Sequence, residues 1–211
     1  MGWGRVEHDV KVYGYGDADG PTKVHPNGKK ELPVLQLTRD DKLLWSKCES
    51  LDIIGLLEEE RGRPLLAPAS DRKDLKEWHS RFKPIQRLLY RPRIIKMPIK
   101  DFSDEADVKY AKAKYEKKGF DYDDAMKRTP ELLKEMDALL VEFDELLHSE
   151  ENVTELPEGS DCRFSVDDML YVPDLRTTTV VSGLNWPERV DAYLKNALRS
   201  AHIDSYSAHA C

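Results

Sequence analysis

The alternation of apolar and polar positions changes character near residue 70. Before it, Asp9-Val10-Lys11-Val12-Tyr13-Gly14-Tyr15 alternates and is rich in β-branched and aromatic residues, which predicts a strand. Gly16, Asp17, Asp19, Gly20, Pro21, Pro26, Asn27 and Gly28 then mark a turn-rich stretch. Leu32 to Leu37 reads as a second strand, Arg39-Asp40-Asp41 as a hairpin turn, and Lys42 to Trp45 as a short third strand. Ser50 to Glu60 reads as a helix with Leu51, Ile54 and Leu57 on one face, stopped by Gly62-Arg63-Pro64.

After residue 70 the spacing is helical. Ser103 is the expected N-cap of one helix, with Asp104 and Glu105 in its first turn. Thr129-Pro130-Glu131 opens another, with proline where the missing N–H costs nothing. Its broad apolar face holds Leu132, Leu133, Met136, Leu139, Leu140, Phe143, Leu146 and Leu147. Ser165-Val166-Asp167-Asp168 has the form of a capping box. A last helix opens near Asn185-Trp186-Pro187, with Val190, Tyr193, Leu194, Ala197, Leu198 and Ala201 on its apolar stripe. The coarse expectation is a β-hairpin-plus-helix piece followed by about five helices. These stripes, with Trp78 and Trp186, are read as packing.

Composition narrows the chemistry. The 211 residues carry 33 Lys and Arg against 40 Asp and Glu, a net charge of −7, which does not suggest nucleic acid or anionic lipid as a partner. No apolar run is long enough to span a membrane, and the first residues have no signal-peptide core, so the expected location is the cytosol. Arg81, Lys83, Arg87, Arg91, Arg93, Lys96 and Lys100 form a local basic run. It reads either as a solvated helix face or as a positive wall for a small anion. Cys48, Cys162 and Cys211 are far apart and form no C-x-x-C, and the six histidines are scattered, so no metal site is expected.

Three segments carry a family resemblance. Gly28-Lys29-Lys30-Glu31-Leu32-Pro33-Val34-Leu35 resembles the stretch of glutaredoxin and glutathione transferase folds in which a strand opens on a cis-proline. Cys48-Glu49-Ser50-Leu51-Asp52-Ile53-Ile54 resembles the Glu-Ser-x-Asp-Ile motif that starts the next helix. Val181-Ser182-Gly183-Leu184-Asn185-Trp186-Pro187-Glu188-Arg189-Val190 resembles the Gly-hydrophobic-Asn-Trp-Pro signature of bacterial glutaredoxin 2, and it is the most specific of the three. Leu88 to Arg93 and Asp101-Phe102-Ser103 are also similar to that family's helical domain. The chain therefore resembles the glutaredoxin 2 family of the glutathione transferase superfamily from about residue 10 onward.

The resemblance implies an α+β chain. A partial thioredoxin-like domain would occupy residues 1–66, and an all-α glutathione-transferase-like bundle residues 72–211. It implies glutathione as cofactor, with protein disulfides or mixed disulfides as further partners. It assigns the binding contacts to the backbone of Leu32, to Pro33, and to Glu49 and Ser50. A cis-proline would turn Leu32 outward so that the tripeptide pairs as an added strand. Ser50 at a helix N-terminus would take the γ-glutamyl carboxylate, and Glu49 would accept from its ammonium.

The same family's chemistry needs a Cys-Pro-x-Cys motif at a helix N-terminus, where the attacking thiol's pKa falls. The sequence has none, and Val10 to Tyr15 falls in register with the second strand of the fold rather than the first. The expectation is a truncated or degenerate member in which dithiol exchange is impaired, with no catalytic residue assigned. Cys48, beside the predicted helix start, is a candidate for glutathionylation. Two alternatives stand beside this reading: a non-catalytic glutathione-binding or interaction module, and a glutathione transferase using the hydroxyl of Tyr13 or Tyr15.

Overall fold

The structure is a computed structural model that describes residues 8–211. Its elements run α1 (Asp19–Val24), β1 (Val34–Arg39), β2 (Lys42–Cys48), α2 (Ser50–Arg61), β3 (Leu66–Ala67), α3 (Lys73–Ile94), α4 (Glu105–Glu116), α5 (Tyr122–Lys127), α6 (Thr129–Leu146), β4 (Phe164–Ser165), α7 (Val166–Thr178) and α8 (Glu188–Ala201). Two compact units share them. One is the chain up to Ile53 with Pro98–Lys118, and the other is Ile54–Met97 with Gly119–Cys211.

In the first unit β1 and β2 form an antiparallel hairpin, with Val34 opposite Cys48 and Arg39 opposite Lys42. Asp40 and Asp41 both hold positive φ, 49° and 60°, as a two-residue turn matched to strand twist requires. Aspartate tolerates this region better than most residues.

The strand expected at residues 9–15 does not form. Among the described residues the hairpin has only two strands, so this segment finds no ladder. It binds the 98–118 segment instead. The Tyr15 N–H donates to the Asp101 carbonyl at 2.9 Å, and its ring lies 5.4 Å from Phe102 and 6.1 Å from Tyr110. The Gly16 N–H donates to the Asp107 carboxylate at 2.6 Å. A Cβ on Gly14 would meet that carboxylate at 2.4 Å, so the close approach needs glycine.

The turn-rich stretch contains α1, whose first turn is held by Asp17 accepting from the N–H groups of Asp19 and Gly20. The N-cap of α4 is Asp104, which accepts from Ala106 N–H, rather than Ser103.

The second unit is built on α3, a 22-residue helix that buries Leu75, Trp78, Phe82, Gln86, Leu89, Pro92 and Arg93. This face meets α6, which buries Leu132, Met136, Leu139, Leu140 and Phe143. Trp78 lies 4.6 Å from Phe82 and 4.3 Å from Phe143 between ring centroids, and its Nε1–H donates to the Leu139 carbonyl at 2.8 Å. Each such large side chain contributes roughly 1.5–3 kcal/mol of burial free energy. The stripe predicted on α8 is buried at Val190, Tyr193, Leu194, Ala197 and Leu198. The capping box of α7 is complete: Ser165 Oγ accepts from Asp168 N–H, and Asp168 accepts from Ser165 N–H. A two-residue parallel ladder joins β3 to β4.

Candidate functional site

The register of the hairpin builds the site. The Leu32–Pro33 peptide bond is cis, and Pro33 immediately precedes β1. Val34 is paired with Cys48, so the residues just outside the ladder, Pro33 and Glu49, stand at the same end. Glu49 links β2 to α2 with φ of 69°, and its carbonyl accepts the Ile53 N–H at 2.9 Å. It therefore stands where an N-cap stands, and Ser50 is the first helical residue. The pairs Leu32-Pro33 and Glu49-Ser50, separated by at least 16 positions in sequence, are brought to one corner.

Each part of that corner is open. Leu32 is 53% exposed, and among the described residues its backbone groups have no hydrogen-bond partner. Glu49 and Ser50 are exposed. The first N–H groups of the 12-residue α2 are unpaired within the helix and carry the positive end of its dipole. Lys47 and Asp52 face one another across the corner at 4.0 Å. An unpaired backbone beside a helix N-terminus suits a short peptide that ends in a carboxylate.

Other predicted groups are placed elsewhere. Cys48 is a free, half-buried thiol next to Glu49; Cys162 is half-buried, and Cys211 is exposed. Among the described residues no cluster of histidine, cysteine and carboxylate side chains could hold a metal. Tyr15 Oη is 2.7 Å from Tyr115 Oη and accepts from Lys114 Nζ at 3.1 Å, so this hydroxyl is engaged by α4. Tyr13 packs against Gly20, where a Cβ would lie 2.2 Å from its ring.

Three of the seven residues of the basic run are engaged by groups elsewhere in the second unit. Arg81 pairs with Glu142, and Lys83 pairs with Asp174 at 2.6 Å. Arg93 is 3% exposed and donates to the Leu89 and Cys211 carbonyls and to Thr129 Oγ1. Asp174 also binds His79 Nε2 at 2.7 Å. Burial works against its carboxylate, and the bonds from His79 and Lys83 outweigh burial, so its pKa lies below the ordinary range.

The specific signature has a structural task. Asn185 donates from its backbone N–H at 2.8 Å and its Nδ2 at 2.6 Å to the Asp137 carboxylate on α6. Pro187 stands at the N-cap of α8, and Arg189 donates to the carbonyls of Asp144 and Leu147. One residue near the candidate site went unread in the sequence. His25, 5% exposed, closes α1 and reaches the approach to Leu32. A lone histidine between Val24 and Pro26 carries no signal in sequence.

Known proteins resemble this chain in sequence and in fold. Residues 74–210 match the family described as Glutaredoxin 2, C terminal domain. Glutaredoxin 2 of Escherichia coli strain K12 is 30% identical over 198 residues, which cover 92% of this chain and 84% of that protein. The glutaredoxin 2 proteins of Escherichia coli O6:H1 and O157:H7 match with the same figures. A 1.2 Å crystal structure of glutaredoxin 2 from Salmonella typhimurium, in complex with glutathione, superposes with a TM-score of 0.83 at 27% identity. It covers 95% of this chain and 86% of that one. The fold is thus α+β, a partial thioredoxin-like portion followed by a glutathione-transferase-like helical bundle. No helix among the described residues is long and apolar enough to cross a membrane. The family match over residues 74–210 and the 30% identity to the Escherichia coli protein assign the chain: it belongs to the glutaredoxin 2 family.

Proposed function

We propose that this chain binds glutathione at the corner formed by Leu32, Pro33, Glu49 and Ser50. Glutathione lies there as an added strand against the backbone of Leu32. Its γ-glutamyl carboxylate takes the Ser50 hydroxyl and the free N–H groups of α2, and its ammonium meets Glu49. The observation that carries the reading is the cis Leu32–Pro33 bond standing opposite the α2 N-terminus through the Val34–Cys48 register. The glutathione bound in the Salmonella typhimurium relative supports the choice of ligand.

The family's reaction is glutathione-dependent thiol–disulfide exchange, in which a thiolate attacks a disulfide sulfur. The sequence holds no C-x-x-C, so in this chain binding is retained and dithiol exchange is impaired. Cys48 is the thiol nearest the corner. Its thiolate attacks one sulfur of oxidised glutathione, forms a mixed disulfide and releases one glutathione thiolate. The cytosol, where reduced glutathione abounds, is the proposed compartment. The boundary between the glutaredoxin-like and all-α domains is placed between residues 66 and 72.

Titration of the full chain with reduced glutathione, followed by amide shifts, tests the site. The expected result is binding that perturbs Leu32, Glu49 and Ser50, with Ser50→Ala weakening it by about tenfold, the loss of a charge-assisted hydrogen bond. Absence of binding at millimolar glutathione, or shifts confined to other residues, would sink the assignment.

A further inference from the structure

We infer that His25 is the positioning residue of this corner: its imidazole sets the path of the chain into Leu32 and so sets glutathione affinity. The inference rests on the proposed glutathione site. Three observations carry it.

First, the backbone of residues 27–29 is folded around His25. The Asn27 N–H donates to His25 Nδ1 at 3.1 Å, and the Lys29 N–H donates to the same nitrogen at 3.4 Å. Between them, the Gly28 N–H donates to the His25 carbonyl at 3.0 Å, with Gly28 at φ of 64°. Three consecutive backbone donors thus converge on one residue. The side chain of His25 is only 1% exposed, so water cannot replace the imidazole as acceptor.

Second, this turn is fastened to the hairpin. The carbonyl of Val24 accepts from Gln36 Nε2 on β1 at 3.3 Å and from Ser46 Oγ on β2 at 3.1 Å. The His25 N–H is taken by the Pro21 carbonyl of α1. One end of the turn is therefore fixed to the strands whose register sets Glu49 and Ser50. The other end runs through Lys30 and Glu31 to the cis bond at Leu32.

Third, the tautomer is dictated. A ring nitrogen that accepts two N–H groups carries no proton, so the proton sits on Nε2. Nε2 is buried without a hydrogen-bond partner among the described residues, and Glu31 Oε2 lies 3.7 Å from it, beyond hydrogen-bond distance. The imidazole thus reaches the residue next to Leu32 as well as the turn before it.

Glutathione touches the backbone of Leu32, which no side-chain substitution at Leu32 itself can remove. Its placement is controlled from His25. An asparagine side chain puts an oxygen close to where Nδ1 lies and restores the acceptor, whereas leucine fills the space and leaves two buried N–H groups unpaired.

The test is calorimetric titration of reduced glutathione into the full chain, His25→Leu and His25→Asn. His25→Leu is expected to weaken binding by about tenfold and His25→Asn to restore it to within about threefold of the unsubstituted chain. Equal affinity in all three, or equal loss in both variants, overturns the positioning role. No binding by the unsubstituted chain overturns the glutathione site itself, and the inference with it. Long-range proton–nitrogen correlation on the unsubstituted chain gives a second readout that needs no variant. Protonated Nε2 with bare Nδ1 is expected, and a proton on Nδ1 overturns the role.

Discussion

Asp168 concentrates more structure than any other single side chain of the second unit described above. It is 1% exposed, and its two oxygens accept from Val153 N–H at 2.9 Å, Tyr193 Oη at 2.7 Å, and both the N–H and hydroxyl of Ser165 at 2.7 Å. Burial, and then the negative charge of Asp168, push the Tyr193 hydroxyl well above its ordinary pKa. Asp168→Ala strands several buried donors together, and is expected to cost about 3–5 kcal/mol, read by urea denaturation. Tyr193→Phe removes one bond and is expected to cost about 1–2 kcal/mol. Asp174 makes a different prediction because its carboxyl titrates lower in the folded protein than in the unfolded chain. That difference stabilises the fold above the unfolded pKa of about 4 and vanishes as pH falls through the folded value. Asp174→Asn is therefore expected to be about 1–3 kcal/mol less stable at pH 7, with the gap closing below about pH 4 in denaturation curves taken across pH.

Elements divide into those that carry their own instructions and those that borrow them. Ser165, Thr129-Pro130 and the α8 stripe were readable because a cap or a stripe is local chemistry at fixed spacing. The hairpin and the start of α2 were readable for the same reason, whereas the four candidate ligand contacts came from the family resemblance and not from spacing. Residues 9–15 have the alternation of a strand, yet a strand needs a neighbour, and Tyr15 and Gly16 pair with Asp101 and Asp107 instead. Six-residue α1 was invisible because Gly20 and Pro21 read as breakers, while Asp17 supplies the bonds that start it. The basic run was ambiguous in sequence, since its partners Glu142 and Asp174 lie about 60 and 90 positions away. The hairpin turn can be improved by its own rule. Asp40→Asn with Asp41→Gly supplies the Asn-Gly pair preferred at two positive φ values. It is expected to stabilise the hairpin locally by about 0.5–1 kcal/mol, read as slower amide exchange in β1 and β2.

At the scale of the whole molecule, sequence order and physical grouping part company. Residues 98–118 lie within the stretch 72–211, yet they are grouped with the chain before Ile53. The bonds from Tyr15 to Asp101 and from Gly16 to Asp107, and Lys30 Nζ 4.0 Å over the Tyr110 ring, show why. A fragment of residues 72–211 is expected to keep slow amide exchange in α3, α6 and α8, whose packing it contains. Helix α4 in that fragment is expected to exchange at least about tenfold faster than in the full chain, since its partners are gone. Equal protection of α4 in fragment and full chain would contradict the grouping.

Trp78 is wedged among Phe82, Phe143 and Tyr171, with its Nε1–H bound to a carbonyl. Trp45 sits on β2, opposite Leu37 and three residues before Cys48. Of the four tryptophans, Trp45 and Trp78 therefore serve as optical reporters, one in each unit. An indole locked in an aromatic cage gives a blue emission and a sharp near-ultraviolet dichroic band, so Trp78 reports on the helical core. Trp45, half-buried on the hairpin, is the dye for the corner where glutathione is proposed to bind. With Trp3, Trp78 and Trp186 replaced by phenylalanine, Trp45 is left as the single indole, a change in emission on adding glutathione would be read at the hairpin, and no label would have to be attached.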